Sequence, residues 1–257
     1  MVSGMDAKLA ADTKPLQLKN PPIVEAVIGI SVPRLAEGIL EQLKELAAQM
    51  LELNYQGPTP VSQSNFQFVI KEGQSSVENR DFLLGWRFDS KDKLHSVQFK
   101  IDGFVFSRLG SYQTWEQFRG EAKKLWDLYY RVIAPTELAE FGVRYINKVF
   151  IPQGEQVSDY LTVYPYIPQG LPQDVLDSFM RLGLPLEAPQ GRFTHQHILL
   201  PPEKPGYATV ILDNDFRFSA IGLSEGKLWE QLEEVRQLKD DYFRKILTKS
   251  FLETFNA

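Results

Sequence analysis

The sequence predicts an α+β protein in which one antiparallel sheet carries its helices on a single face. Three observations favour this class: short runs in which apolar residues alternate, longer stretches with helical spacing, and the return of both patterns in each half of the chain. A sheet covered by helices on one side is a standard way to bury both kinds of element. We therefore predict a duplicated β-α-β(4)-α unit, with residues 20–134 as the first repeat and 135–257 as the second.

The first repeat opens with an apolar, β-branched run at 23–32 that is bounded by prolines and predicts a buried strand. Residues 34–53 have apolar positions at helical spacing, as expected for a helix lying on a sheet. Asp102-Gly103 is a strong hairpin signal, and the spacing predicts a helix over 114–133. Alternating runs predict the other strands, at 66–70, 82–88, 97–101 and 104–106.

The second repeat starts with a strand predicted at 141–151 and continues through proline-rich sequence. Only short helical pieces are predicted there, at 157–161 and 172–182. The remaining predicted elements are, in order, strand 192–200, strand 207–212, a turn at 214–215, strand 216–218 and one long helix over 224–255.

Three short sequences recur in the same order in the two halves, which favours an internal duplication. They are Phe104-x-Phe106-Ser107 with Phe216-x-Phe218-Ser219, Trp115-Glu116-Gln117 with Trp229-Glu230-Gln231, and Tyr129-Tyr130-Arg131 with Tyr242-Phe243-Arg244.

Composition narrows the function classes. The chain of 257 residues has a net charge of −5 and no cysteine, which excludes disulfides, thiolate catalysis and cysteine-ligated metals. Neither half is basic, which argues against nucleic-acid binding. No apolar run approaches the roughly 18 residues needed to span a bilayer. We expect a cytoplasmic protein with a flexible tail at 1–19, followed by one cooperative body that contains both repeats.

Two blocks resemble the signature of a sporadically distributed bacterial family of unknown function. Members open with N-x-P-I-x-E-A, here within Asn20-Pro21-Pro22-Ile23-Val24-Glu25-Ala26, and carry a central G-x-R-Y-x-N, here Gly142-Val143-Arg144-Tyr145-Ile146-Asn147. The closing helix ends with Phe243-Arg244-Lys245-Ile246-Leu247-Thr248, in the family's F-x-x-x-hydrophobic-T pattern. The family carries no established activity, so the resemblance supplies no catalytic residues, and we expect no cofactor. A duplicated unit of this kind also resembles the saddle of the TATA-binding-protein fold.

His195 and His197 are the sharpest polar pair. Residues two apart on a strand point to the same face, so two imidazoles placed in this way could bind zinc or iron. The alternative is a pair of half-exposed strand histidines without a metal.

The two signature blocks contain the candidate ligand-binding residues, Arg144, Asn147 and Glu25. Arg144 lies mid-strand among apolar neighbours, and a buried arginine needs a partner, for which Glu25 or Glu140 would serve. The functional alternative is that Arg144 binds an anion.

The closing helix carries a second apolar stripe, from which we predict that Phe251 and Phe255 form an interface. The alternative is that both fold back onto the N-terminal tail or the 164–172 loop. The leading functional hypothesis is a non-enzymatic partner or regulator, which binds another protein or a second copy through this helix. The alternatives are a small-ligand-binding protein with a pocket between sheet and helices, and a metal-dependent enzyme that uses His195 and His197.

Overall fold

The computed structural model describes residues 15–71, 74–110, 112, 114–173 and 175–256, with the backbone alone described at 65–71 and 74–80. Within these residues nine strands form one antiparallel sheet, and a few helices accompany it. The predicted α+β class and the antiparallel sheet are therefore confirmed. None of the helices described is long and apolar enough to cross a membrane.

The described residues form nine strands, five α-helices and one short 3-10 turn. The strands are β1 (Ile23–Ser31), β2 (Tyr55–Lys71), β3 (Gln74–Ser90), β4 (His95–Lys100), β5 (Gly103–Leu109), β6 (Glu140–Pro152), β7 (Ser178–Glu187), β8 (Gln190–Leu200) and β9 (Tyr207–Ser219). The helices are α1 (Ile39–Glu45), α2 (Ala47–Glu52), α3 (Trp115–Ile133), α4 (Glu225–Ile246) and α5 (Lys249–Thr254), with a 3-10 turn at Val157–Asp159.

The strand order is β2-β3-β4-β5-β1-β6-β9-β8-β7. β1 pairs with β5 on one side and with β6 on the other, and the pairs Ile28–Val143 and Gly29–Gly142 fix the register at the centre. The first and last halves of the chain therefore meet at the β1–β6 ladder and share one sheet.

One face of the sheet is covered by helices. Alternate residues of β6 are buried on this face, beginning with Phe141 and Val143. The neighbouring strands continue the layer: Phe106 of β5 packs on Phe118 of α3, with ring centroids 5.5 Å apart, and Phe216 of β9 packs on Tyr242 of α4 at the same distance. The core lies between these aromatic rows, because each strand gives every second side chain to it.

The opposite face is polar at its centre. A Cβ added to Gly142 would lie 2.8 Å from Cδ of Arg217, and one added to Gly29 would lie 3.3 Å from its Nη1. The Arg217 side chain therefore runs from β9 across β6 towards β1, over two positions that have no side chain. Its Nε donates to Asp215 at 2.8 Å, and its Nη1 lies 3.6 Å from Glu140.

Several predicted elements were wrong in detail. The helical piece at 172–182 is replaced by the edge strand β7, in which Leu182, Leu184 and Leu186 alternate. The turn at 214–215 is absent, since β9 runs unbroken through it. The physical reason is that both turn-forming side chains have partners on the sheet: Asn214 bonds to His195 and Asp215 to Arg217.

The predicted long helices are each divided in two. The helix predicted over 34–53 is α1 followed by α2, with the boundary at Leu46. The helix predicted over 224–255 is α4 followed by α5. Leu247 between them is extended and forms a β-bridge with Leu161, so the chain changes direction there. The second half also differs from the predicted unit, since only the 3-10 turn lies between β6 and β7 in the described residues.

Candidate ligand-binding cavity

A cavity of about 330 Å³ lies between the sheet and the N-terminal end of α3, beside α4. This is at the lower end of the roughly 300–1,000 Å³ of small-molecule sites. The segment before β1, residues 15–22, runs along it and is called the N-terminal strap below. The residues that line the cavity are Leu16, Gln17, Leu18, Pro21, Pro22, Ile23, Tyr112, Thr114, Trp115, Glu116, Tyr145, Asn147, Asn214, Phe216, Arg236, Lys239, Asp240 and Phe243.

Two asparagine amides form part of the cavity wall on the sheet. Asn147 of β6 is 1% exposed and Asn214 of β9 is 4% exposed. Asn147 Nδ2 lies 3.3 Å from the Leu212 carbonyl oxygen and 3.5 Å from that of Tyr145. Asn214 Oδ1 lies 2.8 Å from His195 Nδ1. An amide oxygen can only accept, so His195 donates from Nδ1.

These contacts hold one end of each amide and leave the other end without a partner. Among the described residues, neither Asn147 Oδ1 nor Asn214 Nδ2 has a hydrogen bond. Buried polar groups in folded proteins are normally paired. The cavity is thus lined by one free acceptor and one free pair of donors on adjacent strands.

Aromatic side chains supply much of the remaining wall, with Tyr112 and Trp115 at the start of α3, Tyr145 and Phe216 on the sheet, and Phe243 on α4. The hydroxyl oxygens of Tyr112 and Tyr145 lie 3.3 Å apart. Burial, assisted by Tyr112, raises the pKa of Tyr145 well above its ordinary value, so its phenol stays neutral at physiological pH. Flat rings on several sides suit a flat ligand.

The charged residues that α4 contributes to the cavity wall form ion pairs. Lys239 Nζ lies 2.5 Å from Asp240 Oδ1 and 4.5 Å from the centre of the Tyr145 ring. Burial lowers the pKa of Lys239, while the neighbouring carboxylate raises it. Arg236 lies 3.1 Å from Glu116. Each cation among the described lining residues therefore faces a carboxylate, and the cavity presents no unbalanced charge.

The N-terminal strap is fastened by its backbone. Leu16 N–H donates to Asp240 Oδ2 at 2.9 Å, Lys19 N–H to Asn256 Oδ1 at 3.3 Å, and Asn20 N–H to the Phe255 carbonyl at 2.9 Å. Asp240 thereby connects the strap to Lys239. Of the predicted flexible tail at 1–19, residues 1–14 lie outside the described residues.

The three predicted ligand-binding residues are split between the two faces of the sheet. Asn147 faces the cavity, whereas Arg144 and Glu25 lie on the open face. The predicted pairing of Arg144 with Glu25 or Glu140 was wrong in its partner. Arg144 makes two hydrogen bonds to Asp213, from Nε to Oδ1 at 2.7 Å and from Nη2 to Oδ2 at 2.6 Å.

Asp213 suits Arg144 better because it lies on β9, which is next to β6 in the sheet. Its carboxylate is 3% exposed and also accepts from Gln196 Nε2 at 2.9 Å. The hydrogen bonds that Arg144 donates to Asp213, followed by the negative charge of Asp213, raise the pKa of Arg144.

The predicted metal pair lies on the covered face of β8. His195 and His197 are both buried, at 1% and 3% exposure, and not half-exposed. Burial lowers the pKa of both imidazoles, and that of His197 to about 4. In the described part of the chain, no group of three or more His, Asp or Glu side chains is arranged to hold a metal ion. In the structure, His195 holds the side chain of Asn214 through the hydrogen bond from its Nδ1.

The predicted interface residues already have apolar neighbours within the chain. Phe251 is 7% exposed and packs edge-on against Tyr160 at 5.0 Å between ring centroids, with Phe255 at 5.2 Å on its other side. An interface formed by Phe251 and Phe255 stays a prediction.

A second cavity, of about 340 Å³, adjoins α3 and shares Tyr112 and Thr114 with the first. Arg108 Nη1 lies 2.9 Å from His95 Nε2 there. Burial, followed by the charge of Arg108, lowers the pKa of His95. Tyr55 OH donates to Glu121 on the far side at 3.0 Å.

Sequence reasoning missed most of the cavity wall. Asn214 was assigned to a turn, and the aromatic residues of the wall were not predicted to line a site. One signal was present: Asn147 and Asn214 occupy positions at which the apolar alternation of their strands predicts a buried apolar residue.

The chain was also compared with known proteins. No protein-family model matches it, and neither the curated proteins nor the solved structures contain a match.

Proposed function

We propose that this protein binds a small molecule in the cavity between its sheet and its helices. One observation carries the proposal: Asn147 and Asn214 each bring an unpaired polar atom to a partly open, aromatic-walled cavity. A polar atom that a ligand covers without pairing costs about 1–3 kcal/mol. The site therefore favours a ligand that pairs with both groups.

The test is a cavity-filling substitution with a matched control. Ile23 lines the cavity, while Val27 of the same strand pairs with Arg144 and lies on the open face. We expect the full chain to bind the neutral fluorescent probe 1-aminoanthracene. Ile23→Trp is expected to weaken this binding by about tenfold or more, which corresponds to about 1.4 kcal/mol, and Val27→Trp to leave it unchanged. A folded protein that does not bind the probe, or an Ile23→Trp variant that binds normally, would contradict the proposal.

A second candidate function is the binding of another protein or a second copy, favoured by an exposed apolar patch beside β7. Leu176 is 90% exposed, and Phe179, three residues further on in β7, is 63% exposed. Exposed apolar patches on folded proteins often mark interfaces. Pro185 lacks an N–H and so blunts the backbone edge of β7. The patch therefore offers side-chain contact more than strand addition.

Light scattering tests this second function against the one predicted for the closing helix. If the full chain forms a dimer through the patch, Leu176→Asp with Phe179→Asp is expected to give the monomer mass. Phe255→Asp, the matched change on the closing segment, is expected to leave the dimer intact. The opposite pattern would assign the interface to Phe255, and a parent that stays monomeric at high concentration would remove self-association.

We also propose that the two halves arose by duplication, as in the saddle of the TATA-binding-protein fold. The strand order supports this, since β1 is followed outward by β5 and β4 on one side, and β6 by β9 and β8 on the other. The recurring Phe-x-Phe-Ser sequences lie on β5 and β9, at equivalent places in this order. Membership of the bacterial family with the N-x-P-I-x-E-A opening is likewise a proposal, carried by the two sequence blocks.

A further inference from the structure

We propose that the ligand is a neutral, planar molecule with a lactam edge, that is, an N–H beside a C=O on one side of a ring. This inference rests on the proposed function, because it names the chemistry that the same cavity selects. It follows from which atom of each asparagine is free.

The hydrogen bonds that the two amides already make determine which atom of each is free to bind a ligand. His195 Nδ1 occupies Asn214 Oδ1, so the free group at Asn214 is the donor Nδ2. Two carbonyl oxygens occupy Asn147 Nδ2, so the free group at Asn147 is the acceptor Oδ1. The complementary ligand therefore accepts from Asn214 through a C=O and donates to Asn147 through an N–H.

The spacing of the two residues suits one small group. Asn147 pairs with Leu212 across the β6–β9 ladder, and Asn214 lies two residues further along β9 on the same face. Such diagonal neighbours have Cα atoms about 7–8 Å apart, within the reach of side chains that converge on one group. Both residues line the same cavity, so we expect the adjacent donor and acceptor of a lactam to pair with the two amides.

Charge and shape restrict the ligand further. Lys239 is paired with Asp240, and Arg236 with Glu116, so the described lining residues leave no charge for an ionic ligand to neutralise. The phenols of Tyr112 and Tyr145 are neutral as well, because burial raises the pKa of both. Aromatic walls favour a flat ring over a branched or sugar-like one.

The test uses a matched pair of probes, 2-quinolone and N-methyl-2-quinolone, titrated calorimetrically into the full chain. They differ only at the ring nitrogen, which carries the N–H that would donate to Asn147 in the first probe and a methyl group in the second. We expect 2-quinolone to bind about 10- to 100-fold more tightly, since its methylated form leaves a buried acceptor unpaired. Equal binding of the two probes would overturn the lactam assignment and leave the cavity's small-molecule function standing. Failure of both probes and of 1-aminoanthracene to bind the folded protein would remove the proposed function and the lactam assignment together.

A substitution provides the test from the protein side. Asn214→Asp keeps the oxygen that accepts from His195 and replaces the free donors with an acceptor, at nearly unchanged size. It is expected to weaken 2-quinolone binding by about 10- to 100-fold, whereas Gln98→Leu on the open face of β4 has no effect. Should Asn214→Asp not fold, Asn214→Leu removes the same donors with an apolar side chain of similar size. Unchanged 2-quinolone affinity in a folded Asn214 variant would overturn the inference.

Discussion

At the scale of single residues, the centre of the open face depends on Asp213. This carboxylate is almost fully buried by its contacts with Arg144 and Gln196, although Arg144 itself is 40% exposed. Removing the arginine would therefore leave a carboxylate with little access to water and half of its partners.

Arg144→Met is accordingly expected to lower the free energy of unfolding by about 1–3 kcal/mol, the cost of leaving a buried acceptor unsatisfied. Lys148→Met is the matched control on the same strand and face, because Lys148 pairs with Glu203, which is 47% exposed. Exposed pairs contribute about 0–1 kcal/mol. Urea unfolding measures both changes, and equal effects would show that Asp213 is solvated better than its burial indicates.

His197 gives the protein a pH dependence whose sign can be worked out. Burial lowers the pKa of its imidazole from 6.5 to about 4 in the folded state. Between these values the unfolded chain binds the proton and the folded chain does not, so stability is full above about pH 7 and falls as the pH drops below 6.5.

Between pH 7 and pH 5 we expect the protein to lose about 1–2 kcal/mol more stability than His197→Leu does, because each unit of pKa shift corresponds to about 1.4 kcal/mol. Neither ring nitrogen of His197 has a hydrogen-bond partner among the described residues. Loss of the imidazole is thus expected to cost little at pH 7. Urea unfolding of both proteins at the two pH values is the measurement, and parallel losses would place the proton elsewhere.

Part of the site could have been predicted from residue spacing alone. Arg144 and Asn147 are three apart on one strand, and an odd separation puts them on opposite faces. The sequence therefore excluded a common site for them. The choice of Asp213 over Glu25 and Glu140 could not be predicted, because it depends on which strand lies beside β6.

At the scale of elements, strand or helix type was predictable where a pattern was long and undisturbed, as in β6 and α3. It failed at β7, the start of which had been assigned to the short helical piece at 172–182. It also failed at 214–215, where turn-forming residues lie inside a strand. In both places, pairing with β8 outweighed the local conformational preference of the sequence.

The short helix α5 supplies a prediction of its own. Because Phe251 packs against Tyr160 and Phe255, Phe251→Ala is expected to destabilise the protein by about 3–5 kcal/mol, as buried phenylalanine truncations do. Phe255→Ala, at the more exposed position, is expected to cost less. Thermal unfolding compares the two. A Phe251→Ala protein of unchanged stability but altered mass in light scattering would instead support the predicted interface.

At the scale of the whole molecule, the β1–β6 ladder determines how the halves unfold. Strands from both halves share one sheet and one core, so neither half can lose its structure without exposing the other's central strand. We expect one calorimetric transition with equal calorimetric and van't Hoff enthalpies. Two separated transitions would show that the halves are independent domains.

In the N-terminal strap, the backbone and the side chains have different roles. Its position is held by the N–H groups of Leu16, Lys19 and Asn20, which every residue except proline possesses. Leu16, Gln17 and Leu18 line the cavity, and none of these hydrogen bonds uses their side chains. Positions 16–18 can therefore be randomised in a library to retune ligand preference, while the path of the chain and the rest of the fold are retained.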